Sequence, residues 1–257
     1  MAVISRELVF PNARGESLSG RLELPDGEPR AWAIFAHCFT CSKNIAAASR
    51  ISRELRDRRI AVLRFDFTGL GNSEGDFANT DFSSNVEDLV AAVDFLREHH
   101  RAPQILIGHS LGGAAVLVAA DRVPETRAVV TIAAPSDTDH LRETLLTRAP
   151  GIETSGQALV SIGGREFPIR RRFLEDLEQH RLADAVGRLS PALLVFHSPT
   201  DAVVDVGHAE RILAAAPQPR SFIALDGADH LLSRTEDAEF VAAVLCAWVT
   251  RYIETTA

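Results

Sequence analysis

The chain has 257 residues, 46% of them hydrophobic and 24% charged, a balance that excludes collagen-like, coiled-coil and disordered classes and indicates a globular protein. A formal net charge of −8 leaves no surplus of Lys and Arg to neutralise phosphates, so neither nucleic acid nor an anionic membrane is an expected partner. The opening segment "MAVISRELVF" lacks the basic, apolar and small-residue blocks of a signal peptide, and three cysteines do not make the disulfide framework of a secreted domain. A cytoplasmic location is therefore expected.

In chain order, "VISRELVF" and "SLSGRLELP" alternate apolar with polar residues around Asn12 and Gly15, which predicts an opening pair of half-exposed strands. "AWAIFA", "IAVLRF", "QILIG", "AVVTIAA", "ALLVFH" and "RSFIAL" follow as short, nearly all-apolar runs, the pattern of parallel strands covered on both faces. Helical patterns separate them at 43–58, 85–99, 111–122, 206–216 and 236–252. The last contains the apolar run "FVAAVLCAWV", about half the length of a membrane span, and reads as buried helix with Cys246 in the core. No linker or repeat interrupts the series, so 1–257 reads as a single domain with a mostly parallel, doubly wound sheet. Residues 136–190 break the rhythm with a helical patch at 141–148, a hairpin-like "ALVSIGGREFPI" and a second patch at 173–182. This segment is expected to be a lid insertion over the carboxyl edge of the sheet, where ligands bind. "IRRRF" within it reads as a solvated face.

The segment "QILIGHSLGGAAVLVAA" carries the strongest chemical signal. A strand ends at Gly108, Ser110 follows, and a small-residue helix starts at once, the context of a nucleophile elbow. A helix N-cap serine would explain the helix start but not the flanking Gly108 and Gly112. A serine hydroxyl needs a general base and a group that orients that base. Asp201 follows the strand "ALLVFH" and His230 follows "FIAL", in the chain order Ser, Asp, His that this arrangement requires. Asp205 lies at or inside the next helix, Asp226 and Asp229 are too near His230, and His197 and His109 read as structural. The oxyanion donors are expected at the backbone N–H of Leu111 and of Phe39, the latter in the loop "HCFTCSKN". "DFTGLGNSEG" reads as a pocket wall, not a dinucleotide cradle, because no helix begins directly after Gly69 and Gly71. Phe67 and Leu70 are expected to line the substrate pocket.

These motifs, "HCFTCSKN", "DFTGLGNSEG", "GHSLGG", "HSPTDAVV" and "GADHLL", resemble those of the α/β-hydrolase superfamily over essentially the whole chain. More narrowly, "FAHCFTCSKN" and "RFDFTGLG" are similar to the hydrolase half of bacterial proteins in which such a domain is fused to an OsmC-like peroxidase domain. The resemblance implies an α/β-hydrolase fold and hydrolysis of a small carboxylic ester or related acyl bond by a Ser110, Asp201, His230 triad through an acyl-enzyme. No metal or organic cofactor is implied. Cys38 stands where relatives have Gly, a position that implies φ > 0 at a cost to Cys of about 1 kcal/mol; the loop either runs differently or is strained. Two alternative functions compete: a non-catalytic or partner-dependent hydrolase-fold module, and a thiol-active site at Cys38 and Cys41. The sequence leaves the oligomeric state open, a homodimer included.

Overall fold

A computed structural model describes residues 4–162 and 165–253 of the chain. The two chain ends and the expected hairpin turn at Gly163 and Gly164 lie outside them. Among the described residues the main sheet has eight strands: β1 (Ile4–Pro11), β2 (Ser17–Leu24), β3 (Ala31–Ala36), β4 (Ile60–Phe65), β5 (Ile105–His109), β6 (Ala128–Ile132), β9 (Ala192–His197) and β10 (Arg220–Ala224). They lie in the order β1-β2-β4-β3-β5-β6-β9-β10. The first two pairings are antiparallel and the rest parallel, so the sheet is mostly parallel as the apolar runs predict. The opening pair is half-exposed only in part. β1 is largely exposed at the sheet edge, whereas β2 is mostly buried because β4 covers its other side.

Helices cover both faces, which is why every residue of β3, β4, β5, β6 and β9 is buried. Helices α1 (Ala46–Asp57) and α9 (Thr235–Ile253) pack on one face through Ile51, Leu55, Val241 and Leu245. Helices α2 (Phe82–His99) and α3 (Leu111–Ala119) pack on the other through Leu89, Val93, Ala114 and Leu117. α2 starts where it does because Asp81 and Ser84 form a reciprocal capping box. α1 begins three residues later than its pattern suggests. Lys43 is drawn out of helical geometry, since its amide and its ammonium both bond to the buried Asp66 carboxylate, at 2.6 Å each.

Between β6 and β9 the chain leaves the sheet. It forms α4 (Asp139–Arg148), α5 (Ile152–Ser155), the antiparallel hairpin β7 (Gln157–Ile162) and β8 (Arg165–Arg170), then α6 (Arg171–Gln179) and α7 (Leu182–Gly187). Helix α8 (Gly207–Ala215) follows β9. Among the described residues no helix is long and apolar enough to cross a membrane.

Candidate active site

The carboxyl ends of β5, β9 and β10 bring Ser110, Asp201 and His230 together from positions up to 120 residues apart. Ser110 sits at φ 54°, ψ −124°, a left-handed conformation rare for a side chain with Cβ, and its amide is held by the Ile132 carbonyl at 2.9 Å. The tight turn depends on its glycines. A Cβ at Gly108 would lie 2.2 Å from the Gly112 carbonyl oxygen, and one at Gly112 would lie 2.4 Å from that of Ala36. Gly112 thus lets the first turn of α3 press against the loop that follows β3.

The Ser110 hydroxyl lies 3.1 Å from His230 Nε2, and His230 Nδ1 lies 2.8 Å from Asp201 Oδ2. Asp201 Oδ1 accepts the Val203 and Val204 amides at 2.8 and 3.0 Å. Burial raises the Asp201 pKa, but the His230 hydrogen bond and the two amides outweigh it and hold the carboxyl below its ordinary value. The carboxylate is therefore ionised at neutral pH and fixes an imidazole whose free Nε2 can accept the serine proton. Asp205 accepts the Gly207 amide just before α8, and Asp229 accepts the Ser233 amide; neither hydrogen-bonds to His230 Nδ1. Two buried histidines hold the loops in place. His109 Nε2 donates to the His230 carbonyl at 2.7 Å, and His197 Nε2 donates to that of Val204 at 2.8 Å. Sequence reasoning reads both as structural; the His109 partner is far along the chain and carries no local signal, whereas Val204 lies in the loop directly after the strand that His197 ends.

In the loop after β3, Cys38 and Cys41 are joined by a disulfide, with Cα atoms 5.4 Å apart. Three cysteines do not make the disulfide framework of a secreted domain, but a single clip inside one loop needs no such framework. The expected left-handed residue is displaced: Thr40, at φ 62°, adopts it, and Cys38 does not. The Phe39 and Leu111 amides donate to no described residue and so remain available to a ligand. The Phe39 ring packs on Phe77 and on Phe173 of α6, with centroids 5.7 and 5.4 Å apart. Phe67 and Leu70 both line a small cavity with Phe39 and Leu111. Among the described residues no group of three or more His, Cys, Asp or Glu side chains is placed to hold a metal.

The model of the alpha/beta hydrolase family matches residues 33–244. The chain belongs to the alpha/beta hydrolase family. It is similar to the esterase domain of a Rhodothermus marinus protein, with 50% identity, a TM-score of 0.81, and coverage of 98% of this chain and 100% of that one. Rat mitochondrial palmitoyl-protein thioesterase ABHD10 is 25% identical over 220 residues, 82% of this chain and 73% of that protein. Mouse monoglyceride lipase is 32% identical over 114 residues, 43% of this chain and 37% of the lipase. The match thus spans little more than a third of the lipase. These relatives are an esterase domain, a thioesterase and a lipase.

Proposed function

We propose that this alpha/beta hydrolase cleaves a small carboxylic ester or related acyl bond through a Ser110 acyl-enzyme. The observation that carries the reading is the relay from Ser110 Oγ through His230 to Asp201, with the serine held in the strained elbow. Ser110 Oγ attacks the acyl carbon while His230 Nε2 takes its proton. The Phe39 and Leu111 amides receive the resulting oxyanion, each worth about 3 to 4 kcal/mol at comparable sites. On collapse His230 returns the proton to the leaving alcohol or thiol. Water then attacks the acyl-serine with His230 as base, releasing the carboxylic acid and restoring Ser110.

In this reading the whole chain is one hydrolase domain and residues 136–190 act as its lid, supported by the packing of the tilted Phe173 ring against Phe39. The chain would correspond to the hydrolase half of the OsmC-like fusion proteins. Its 50% identity to a crystallised esterase domain, itself one part of a Rhodothermus marinus protein, supports that correspondence.

The test is labelling by an active-site fluorophosphonate together with turnover of short p-nitrophenyl esters. Labelling and an acyl burst are expected in the wild type and neither in Ser110→Ala. Full activity in Ser110→Ala would overturn the assignment. A wild type with no burst and no label would favour the non-catalytic module instead.

A further inference from the structure

One cavity, lined by Leu111 and Gly112 of the elbow, sets two polar side chains among apolar walls. Phe39, Phe67, Leu70, Leu111 and Ala115 supply apolar surface, while His37 and Asn85 also line it. Its volume is about 10 Å³, room for a single water-sized group. Asn85 lies in the first turn of α2 and is 6% exposed, and among the described residues no side chain or backbone group bonds to its side-chain amide. His37 is 1% exposed. Its Nδ1 donates to the Cys38 carbonyl at 2.8 Å, which leaves a lone pair on Nε2, and that atom is buried without a partner. Burial pushes the His37 pKa below its ordinary value despite the Cys38 bond, so the ring stays neutral and Nε2 remains an acceptor.

Buried imidazoles are paired in the great majority of folds, so the orphaned His37 Nε2 beside a water-sized space, with Asn85 on the same wall, suits an occupant with both a donor and an acceptor. A methyl group would fill the volume and leave both unpaired. A hydroxyl would fill it, donate to one group and accept from the Asn85 NH₂. The cavity shares Phe39 and Leu111 with the proposed oxyanion donors, so an occupant attached to the substrate must sit close to the reacting carbonyl. Resting on the serine-hydrolase reading above, we propose that this cavity receives a hydroxyl on the second or third carbon of the acyl chain. The enzyme is then selective for short hydroxyacyl esters or thioesters over their plain hydrocarbon counterparts. Asn85 is the specificity-determining residue and His37 its accessory acceptor.

The experiment compares kcat/KM for matched aryl esters, lactate against propionate and 3-hydroxybutyrate against butyrate. In the wild type at least one hydroxy ester should lead its partner by about tenfold or more, since a site built to bind a hydroxyl discriminates strongly against the analogue lacking it. In Asn85→Leu, and in the smaller Asn85→Ala should the leucine variant fail to fold, that ratio should fall to about one. Equal or better turnover of both plain esters by the wild type would overturn the inference and mark the cavity as the seat of a structural water only. Ser110 labelling would still be intact in that case, so the hydrolase reading would stand. A ratio unchanged in a folded Asn85 variant would equally overturn it.

Discussion

His109 and His197 lie buried at the ends of neighbouring parts of the sheet, and each spends its one N–H on a backbone carbonyl of a loop that carries a relay residue. His109 holds His230 itself, through the carbonyl of that residue. Burial and the nearby His230 push its pKa down to about 4, against the raising effect of the hydrogen bond. The unfolded chain takes up the proton near the ordinary value of about 6.5. The stability contributed by the neutral ring is therefore fully present above about 6.5 and is lost as pH falls towards about 4. In His109→Phe, thermal melts should depend less on pH across that window. The same variant should lose kcat by about tenfold to 10²-fold with little change in KM, because the base loop is no longer held in register. His109→Gln, which keeps a donor, should recover most of that loss. If Gln and Phe variants behave alike in kcat, the donor to His230 is not what matters.

At the scale of elements, the loop after β3 is pinned at both ends. Its start is confined by the first turn of α3, where Gly112 leaves room only for a hydrogen against Ala36 and His37. Its end is held by Lys43, 1% exposed, whose ammonium meets Asp66 at 2.6 Å and the Ser19 hydroxyl at 2.9 Å. Asp66 also accepts the Asn72 amide, and Gly71 at φ 54° leaves no space for a Cβ beside that carboxylate. "HCFTCSKN" and "DFTGLGNSEG" are thus two halves of one buried polar joint, which neither motif discloses alone. Asp66→Asn strands the Lys43 charge and should cost about 3 to 5 kcal/mol in urea unfolding. Replacing both partners, as Lys43→Met with Asp66→Leu, should recover much of that loss. A single variant as stable as the wild type would remove the pair from the account of the loop.

Over the whole molecule the two faces of the sheet bury two separate apolar layers. The face under α2 and α3 continues into the loops and helices around Ser110. The face under α1 and α9 is a packed apolar layer in which Leu245 is fully buried among Val241, Ile51 and Leu55. Leu245→Ala should cost about 2 to 5 kcal/mol in stability. Esterase turnover at 25 °C should be close to wild type while the protein remains folded, a result read from paired denaturation and rate measurements. A large drop in kcat at unchanged folded fraction would show that the two faces are coupled.

The sequence by itself determined the alternation of buried strands and helices, the elbow at Ser110 and the chain order of Ser110, Asp201 and His230. Those features are written in local periodicity, in glycine spacing and in the ends of strands, all of which a linear reading can reach. It also located the loop that carries Phe39, but not how that loop is held. The tertiary structure alone decided the Cys38–Cys41 clip, the left-handed turn at Thr40, the Lys43–Asp66 joint, and the meeting of His37 with Asn85 in one cavity. Each of these depends on which side chains and loops meet in space. Pairing inside a low-dielectric core is settled by three-dimensional proximity, and sequence spacing does not encode it.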